Sequence, residues 1–223
     1  MSSAEDAKLD DAALEDGPAP QIRVLLVDDH DLFRTGLRNL LEEQGVDVVG
    51  EASGGTEALN VVRETAPDVV VMDLNMPGMS GVEATRHISR DAPLTRVVVL
   101  TISDQEQDVM DAILAGACGY LLKDASIQQL MEGLTSAAVG ESLISPHIAG
   151  KVLQHVRATT AAPEAAATIR TELSDREIQV LKLIANGKDN AMIAGELHIS
   201  PKTVKNHISN ILMKLQIENR IQA

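Results

Sequence analysis

The sequence predicts a doubly wound α/β domain with a five-stranded parallel sheet, followed by a small all-α domain. Short continuous apolar runs alternate with amphipathic stretches between residues 22 and 134, which is typical of parallel strands covered by helices on both faces. Beyond residue 171 the apolar residues recur with a helical period. The 223 residues suit one or two domains, and the change of pattern favours two.

Each predicted strand is a short apolar run that ends at a polar residue or a turn. The strands are expected at Ile22–Val27, Val46–Ala52, Val69–Met72, Val97–Leu100 and Gly119–Leu122. The intervening helices are indicated by apolar residues at i, i+3, i+4 and i+7 spacings. These stripes are Phe33, Leu37, Leu40 and Leu41; Val82, Thr85 and Ile88; Val109 and Ile113; and Ile127, Leu130, Met131 and Leu134.

Composition divides the chain into four segments. Residues 1–21 hold few large apolar groups, so they cannot bury enough surface to offset the entropy of ordering, and we expect a disordered acidic tail. The α/β domain is predicted at 22–143. Ser145 and Pro146 predict the start of a helix, which with an Ala/Thr-rich flexible linker occupies 144–170. The helical domain is predicted at 171–223.

The last segment has start and stop signals for three short helices. Ser174 and Glu177 have capping-box spacing, and Gly187 ends the helix that follows. A second helix is expected from about Asn190 to Leu197, and Ser200-Pro201 begins a third. Three short helices in this length predict a helix-turn-helix.

Charge is distributed unevenly along the chain. The formal net charge is −14, with −5 in residues 1–21 and −12 in residues 22–145, whereas residues 146–170 carry +2 and residues 171–223 carry +1. An acidic domain is therefore followed by a weakly basic one, whose local excess of lysine near the end of the chain could meet phosphates.

Composition also predicts the compartment. No apolar run approaches the ~20 residues that a membrane-spanning helix needs, so we expect no membrane partner. The polar, acidic N-terminus lacks the features of a secretory signal. The single cysteine, Cys118, cannot form an internal disulfide, which agrees with a reducing compartment. Together these features predict a cytoplasmic protein.

Polar residues follow four of the predicted strands. Asp28 and Asp29 end the first, Asp73 the third, Thr101 the fourth and Lys123 the fifth. Ligands of open parallel sheets bind beyond these carboxyl ends, so the side chains should share one rim. Clustered carboxylates favour Mg²⁺, and an ionised aspartate can accept a phosphoryl group. Each residue alone could equally begin a turn or cap a helix, so the prediction depends on their combination.

These motifs resemble the receiver domain of two-component response regulators. The matching segments are Val27-Asp28-Asp29-His30, Met72-Asp73-Leu74-Asn75-Met76-Pro77, Val99-Leu100-Thr101 and Gly119-Tyr120-Leu121-Leu122-Lys123-Asp124. The resemblance implies a flavodoxin-like sheet of order 2-1-3-4-5, with Asp73 as phosphoacceptor. It implies Mg²⁺ on Asp28, Asp29, Asp73 and the backbone carbonyl of Asn75, and a sensor histidine kinase as donor. It also implies that Thr101 and Lys123 bind the phosphoryl group and that Tyr120 rotates inward as a switch.

The last segment resembles the LuxR-type helix-turn-helix of NarL/FixJ regulators. The resemblance is carried by Leu173-Ser174-Asp175-Arg176-Glu177, Ile193-Ala194 and Ser200-Pro201-Lys202-Thr203-Val204-Lys205-Asn206-His207. It implies a transcriptional regulator of double-stranded DNA. Family members continue into a longer fourth helix used for dimerisation, whereas this sequence stops at Ala223. A homodimer is therefore allowed by the resemblance but not indicated by the residues present.

The third helix of this segment is predicted to read DNA. With Val204, Ile208, Ile211 and Leu215 facing the core, six polar residues point outward or sideways. Lysine and asparagine can pair with base edges in the major groove, so Lys205 and Asn206 are expected to read bases. Lys202, Thr203 and Lys214 are expected to contact phosphates. The remaining two are Ser209 and Asn210.

Two other functions compete with a phosphorylation-controlled regulator. A magnesium-dependent phosphohydrolase could use Asp73 to turn over small substrates, but it would normally need a cap insertion, and no stretch of the sequence is long enough for one. A regulator that binds DNA constitutively is the other alternative. The combination of the rim residues favours phosphate control, with no catalysis beyond the receiver's own phosphotransfer and dephosphorylation.

Overall fold

One parallel sheet forms the first domain. The structure, a computed structural model, describes residues 21–161 and 173–222, so residues 1–20 of the predicted acidic tail and most of the predicted linker lie outside the described residues. The described strands are β1 (Arg23–Val27), β2 (Asp47–Ala52), β3 (Val69–Met72), β4 (Arg96–Thr101), β5 (Gly119–Leu122) and β6 (Leu143–Ile144). Their order is β2-β1-β3-β4-β5-β6, which confirms the predicted doubly wound fold.

The strand β6 was not predicted. It adds two residues parallel to β5, with Leu143 beside Gly119 and Ile144 beside Tyr120. Two residues are too few to show a period in sequence, so only the tertiary pairing identifies them as a strand.

The helices begin and end close to the sequence signals. They are α1 (Asp31–Glu43), α2 (Gly55–Thr65), α3 (Gly81–Asp91), α4 (Glu106–Ala115), α5 (Ile127–Ala138), α6 (Pro146–Ala161), α7 (Asp175–Ala185), α8 (Asn190–Leu197) and α9 (Pro201–Gln222). The predicted capping box of α7 is present, with the Ser174 side chain accepting from the backbone N–H of Glu177. Leu40, predicted to face the sheet, is instead 49% exposed. The buried face of α1 is formed by Leu37 and Leu41, and Leu40 lies outside it.

Alternate residues of each central strand point to opposite faces of the sheet. Val24 and Leu26 of β1 pack in one apolar cluster with α1 and α5. Leu25 and Val27 pack in another with α2 and α3. The sheet is therefore a middle layer between helices, which leaves its carboxyl edge open for a site.

A third apolar cluster joins the two domains. It runs from α4 and β5 through α6 to the helices α7, α8 and α9. Ile148 and Val152 of α6 are 1% and 0% exposed, so one face of this helix is buried in the joint core. No helix in the described parts of the chain is long and apolar enough to span a bilayer.

Candidate functional site

The rim predicted from sequence exists at the carboxyl edge of the sheet. Asp28 and Asp73 directly follow β1 and β3, Thr101 ends β4, and Lys123 follows β5. All of these strands run parallel, so their carboxyl ends meet at one edge. Asp28, Asp73 and Thr101 are 4%, 3% and 0% exposed. The site is therefore a largely desolvated pocket in which charges interact strongly.

Lys123 is the cation at the centre of this pocket. Its Nζ lies 2.6 Å from Asp28 Oδ2 and 2.7 Å from Asp73 Oδ2, and it sits 4.6 Å from the centroid of the Phe33 ring. Burial opposes the charge on Lys123, but its hydrogen bonds to Asp28 and Asp73 outweigh burial and raise the pKa of the ammonium. Lys123 therefore stays protonated at neutral pH and holds the two aspartates together.

Asp73 is held from both sides of its carboxylate. Oδ1 accepts a 2.7 Å hydrogen bond from the backbone N–H of Leu74, while Oδ2 faces Lys123. The backbone carbonyl of Asp73 packs against Gly81, where an added Cβ would lie 1.9 Å from the oxygen. Only glycine fits at the start of α3 without a shift, so this helix closes directly on the strand that ends at Asp73.

The acidic residues fit a hard divalent cation. Oxygen atoms of Asp28, Asp29 and Asp73 and a ring nitrogen of His30 lie within 4.8 Å of one another. His30 Nδ1 is 2.8 Å from Asp29 Oδ1, yet the geometry is not that of a hydrogen bond, and this buried oxygen has no hydrogen-bond partner among the described residues. Carboxylate oxygens grouped in this way suit Mg²⁺. Asn75, whose carbonyl was the fourth predicted ligand, lies beside the group and is exposed.

Thr101 and Tyr120 connect the pocket to the domain interface. The backbone N–H of Ser103 donates to Thr101 Oγ1 at 3.4 Å, and the Tyr120 hydroxyl donates to the Ser103 carbonyl at 2.9 Å. Tyr120 is 2% exposed, and burial raises the pKa of its hydroxyl. In this structure the Tyr120 ring lies inward, in one apolar cluster with residues of α6 and α9, and its rotation as a switch stays a prediction.

The predicted reading helix is α9. Its first turn is capped by Ser200, whose Oγ accepts from the backbone N–H of Thr203 at 3.0 Å. Lys202, Asn206 and Asn210 are exposed. The four residues predicted to face the core are 0–2% exposed, which confirms the helical face that the periodicity indicated.

Part of that reading surface is covered by the first domain. Lys205 Nζ lies 2.8 Å from Glu141 Oε2, just before β6, and the backbone N–H of Ser142 donates to Ser209 Oγ at 3.1 Å. These two α9 residues are half-buried and contact the α/β domain. Lys214 pairs within its own domain, 2.8 Å from the carboxylate of Glu177.

Three residues of the pocket were missed by sequence reasoning. Phe33 contacts Lys123, Gly81 packs on the Asp73 carbonyl, and Arg34 donates from Nη1 to the backbone carbonyl of Asp28 at 2.5 Å. Phe33 is the only phenylalanine in the chain, and its place four residues after Asp29 was a usable signal. Nothing in the sequence alone marks Gly81 or Arg34, since both act through backbone atoms of distant residues.

An acid-lined pocket on a doubly wound sheet, joined by a common core to a helix-turn-helix, defines a DNA-binding signalling regulator. Comparison with known families supports this class. Residues 24–135 match the response regulator receiver domain, and residues 171–223 match the bacterial regulatory proteins of the luxR family. The chain therefore belongs to the two-component response regulators that carry a LuxR-type DNA-binding domain, and such proteins regulate transcription.

Individual relatives agree over most of the chain. The transcriptional regulatory protein LiaR of Bacillus subtilis is 43% identical over 205 residues, covering 91% of this chain and 94% of LiaR. NarL, the nitrate/nitrite response regulator of Escherichia coli, is 38% identical over 90% of this chain and 92% of its own. The crystal structure of ChrA, a response regulator of a heme-sensing two-component system, is 36% identical with a TM-score of 0.52 and covers 91% of this chain and 98% of ChrA. A complex of the response regulator RcsB with DNA is 26% identical, with a TM-score of 0.54, covering 88% and 93% of the two chains.

Proposed function

We propose that Asp73 accepts a phosphoryl group from a sensor histidine kinase and that this modification controls binding of α9 to double-stranded DNA. The observation that carries the proposal is the buried Asp73 carboxylate, 3% exposed and 2.7 Å from the Lys123 ammonium. A buried carboxylate beside a lysine ammonium, at the carboxyl edge of a parallel sheet, is suited to receive a phosphoryl group. The membership of the family in two-component systems supports the same reading.

The bonds that change in the transfer belong to Asp73 and the donor. One oxygen of the ionised Asp73 attacks the phosphorus, a new O–P bond forms, and the N–P bond of the kinase's phosphohistidine breaks. Lys123, which holds Asp73 before the transfer, then donates to a phosphoryl oxygen, and the buried Thr101 hydroxyl donates to another. In the reverse step, water attacks the acyl phosphate, the O–P bond to Asp73 breaks, and inorganic phosphate leaves the free carboxylate behind.

We assign the metal to Asp28, Asp29, Asp73 and the backbone carbonyl of Asn75. The buried Asp29 oxygen, which accepts no hydrogen bond from a described residue, and the oxygen-rich ligand set support Mg²⁺. When bound, Mg²⁺ would neutralise the charge that builds up between the carboxylates and the phosphoryl oxygens. The role of His30 is to cap this loop, since its backbone N–H donates to Asp28 Oδ1 at 2.9 Å.

Control of DNA binding is supported by the covered state of α9. Lys205 and Ser209, two of the residues proposed to meet DNA, contact residues 141 and 142 of the receiver. Phosphorylation at Asp73 would favour an arrangement in which these contacts are broken. It can shift the equilibrium between the covered and uncovered arrangements only by the difference in free energy with which it stabilises them. Tyr120 links the phosphoacceptor pocket to the domain interface. Its ring lies in the core shared by both domains, and its hydroxyl donates a hydrogen bond to the loop that follows Thr101.

The DNA contacts are proposed residue by residue. Lys205 and Asn206 read bases, while Lys202, Thr203 and Lys214 meet phosphates. Ser209 and Asn210 flank this surface on the next turn of α9. A neighbouring structure holds two RcsB dimers on parallel DNAs, with 26% identity and a TM-score of 0.56, which supports a homodimer on DNA for this chain too. Cytoplasmic location stays a prediction of the sequence.

The test compares DNA binding by the wild type and by Asp73→Asn, each with and without a small phosphodonor and Mg²⁺. We expect tighter binding only for the wild type with the donor, together with one added phosphoryl group by intact mass spectrometry. Asp124→Asn makes the same chemical change at an exposed aspartate of the rim and should behave as wild type. Donor-stimulated binding by Asp73→Asn would refute the assignment, and equal binding in every condition would indicate a constitutive regulator.

A further inference from the structure

A cleft rich in arginine lies at the edge of the sheet opposite the phosphoacceptor. It encloses about 600 Å³ between the carboxyl ends of α3 and α4, the start of β4 and the α9 helix. Its walls carry three arginines and, among the described residues, no acid. The lining residues are Arg86, Ser89, Arg90, Pro93, Thr95, Arg96, Leu114, Ala115, Gly116 and Gln216.

Two of these arginines make no close ion pair within the described structure. Arg86 and Arg96 are exposed and have no described carboxylate at salt-bridge distance, whereas Arg90 is paired with its neighbour Asp91 at 2.7 Å. Arg86 is close enough to Glu83, one turn earlier on α3, to help lower the pKa of that carboxyl, but Glu83 does not line the cleft. A concave site of one sign favours an anionic ligand of the other.

The chain itself supplies an acidic segment of suitable length. Residues 1–20 contain six acids and one lysine, and the acids occur as three adjacent pairs: Glu5-Asp6, Asp10-Asp11 and Glu15-Asp16. Gly17, Pro18, Ala19 and Pro20 connect the last pair to the described residues, which start at Gln21 just before β1. A carboxylate pair can meet a guanidinium with two parallel hydrogen bonds.

The segment joins the domain at the edge where the cleft lies. Val24 of β1 is in register with Val69 of β3, which is in register with Arg96 of β4. Arg96 is therefore two strands away from β1, or about 10 Å. The five residues from Asp16 to Gln21 can extend to roughly 17 Å, which exceeds the spacing of about 10 Å between β1 and Arg96.

We infer that the acidic segment of residues 5–16 docks in the cleft formed by Arg86, Arg90 and Arg96. Gln216 of α9 lines the same cleft, and its Nε2 donates to the Ala117 carbonyl at 3.2 Å. A docked segment therefore touches the receiver and α9 together and stabilises their contact. This regulatory consequence depends on the proposed function, whereas the docking itself does not.

Paramagnetic relaxation in the full chain tests the docking. A nitroxide on Ala13→Cys can be attached selectively, because Cys118 is buried and burial raises the pKa of its thiol to about 11. We expect loss of amide signals around the cleft, at Ser89, Thr95 and Gly116, in the unphosphorylated protein at low salt. The signals should return at about 1 M salt, where the Debye length falls to about 3 Å and exposed ion pairs are weakened.

Matched variants separate docking from general attraction. Arg86→Gln with Arg96→Gln should restore the cleft signals, whereas Lys182→Gln, at an exposed lysine of α7, should leave them broadened. Broadening that persists in the double arginine variant, or that falls on α9 lysines instead, would overturn the inference. DNA binding measured on the same variants tests the regulatory consequence separately. Tighter binding by the double arginine variant would support that consequence. Unchanged DNA binding in a variant that has lost docking would overturn the regulatory consequence and leave the docking itself standing.

Discussion

The ion pair between Lys205 and Glu141 gives the sharpest test of whether the receiver restrains α9. In Glu141→Gln the carboxylate is lost and the shape is kept. The two side chains are 34% and 25% exposed, so the pair contributes about 0.2 to 1 kcal/mol to the covered arrangement. That range corresponds to a roughly 1.4- to 5-fold shift toward the uncovered arrangement. When the covered form dominates, apparent DNA affinity rises by the same factor.

The assay is fluorescence anisotropy on labelled operator DNA at fixed ionic strength, with unphosphorylated protein. Removing any acid also weakens repulsion from DNA, so Glu64→Gln, an exposed acid of α2, serves as the charge-matched control. We expect a gain for Glu141→Gln beyond that of Glu64→Gln, and a smaller difference between the variants after phosphorylation. Equal gains in both variants would refute the restraint, because charge alone would then account for the effect.

Three further changes test the pocket and the helical domain. Gly81→Ala should lower the free energy of unfolding, measured in urea, by about 1 to 3 kcal/mol, because the added Cβ would lie 1.9 Å from a backbone oxygen. Gly36 has open space around it, so Gly36→Ala should not destabilise the protein. Phe33→Leu removes the ring beside Lys123, a contact that contributes about 0.5 to 2 kcal/mol. Phosphorylation by a small donor should therefore be slower in Phe33→Leu, whereas Phe33→Tyr should keep the wild-type rate. An unchanged rate in Phe33→Leu would contradict this expectation. Burial of Glu177 opposes its charge, but its hydrogen bonds outweigh burial and lower the pKa of its carboxyl. The ionised Glu177 therefore stabilises the fold above the unfolded-state pKa of about 4.3, and this stabilisation is lost as pH falls through the lower pKa of the folded state. The difference in unfolding free energy between wild type and Glu177→Gln should therefore close in acid, as followed by circular dichroism, and a pH-independent difference would count against it.

Much of the fold was predictable because its signals are local. Each central strand is buried on both faces and reads as a continuous apolar run, so β3 and β5 were located to the residue. The acidic pocket was predictable for a topological reason. Parallel strands bring their carboxyl ends to one edge, so residues that follow different strands, such as Asp28, Asp73 and Lys123, had to meet.

The rest depends on contacts between distant residues. Gly81 and Arg34 contact backbone carbonyls of other residues. The periodicity of apolar residues indicates which side chains are buried, but it does not indicate contacts to backbone atoms. The buried position of Tyr120 follows from the helices packed over it, not from its own strand. The contact between Lys205 and Glu141 joins residues of two domains, and each residue alone looks like an ordinary surface charge.

The apolar core that joins the domains bears on how the signal scales with the amount of protein. If phosphorylation parts the domains, buried residues such as Met110, Ile148 and Leu212 come into contact with water, at about 25 cal/mol for each Å² uncovered. A second copy that covers the same surface would offset this cost, and its contribution would grow with protein concentration by mass action. The same phosphorylated fraction would then produce a stronger response in a cell that holds more copies of the regulator.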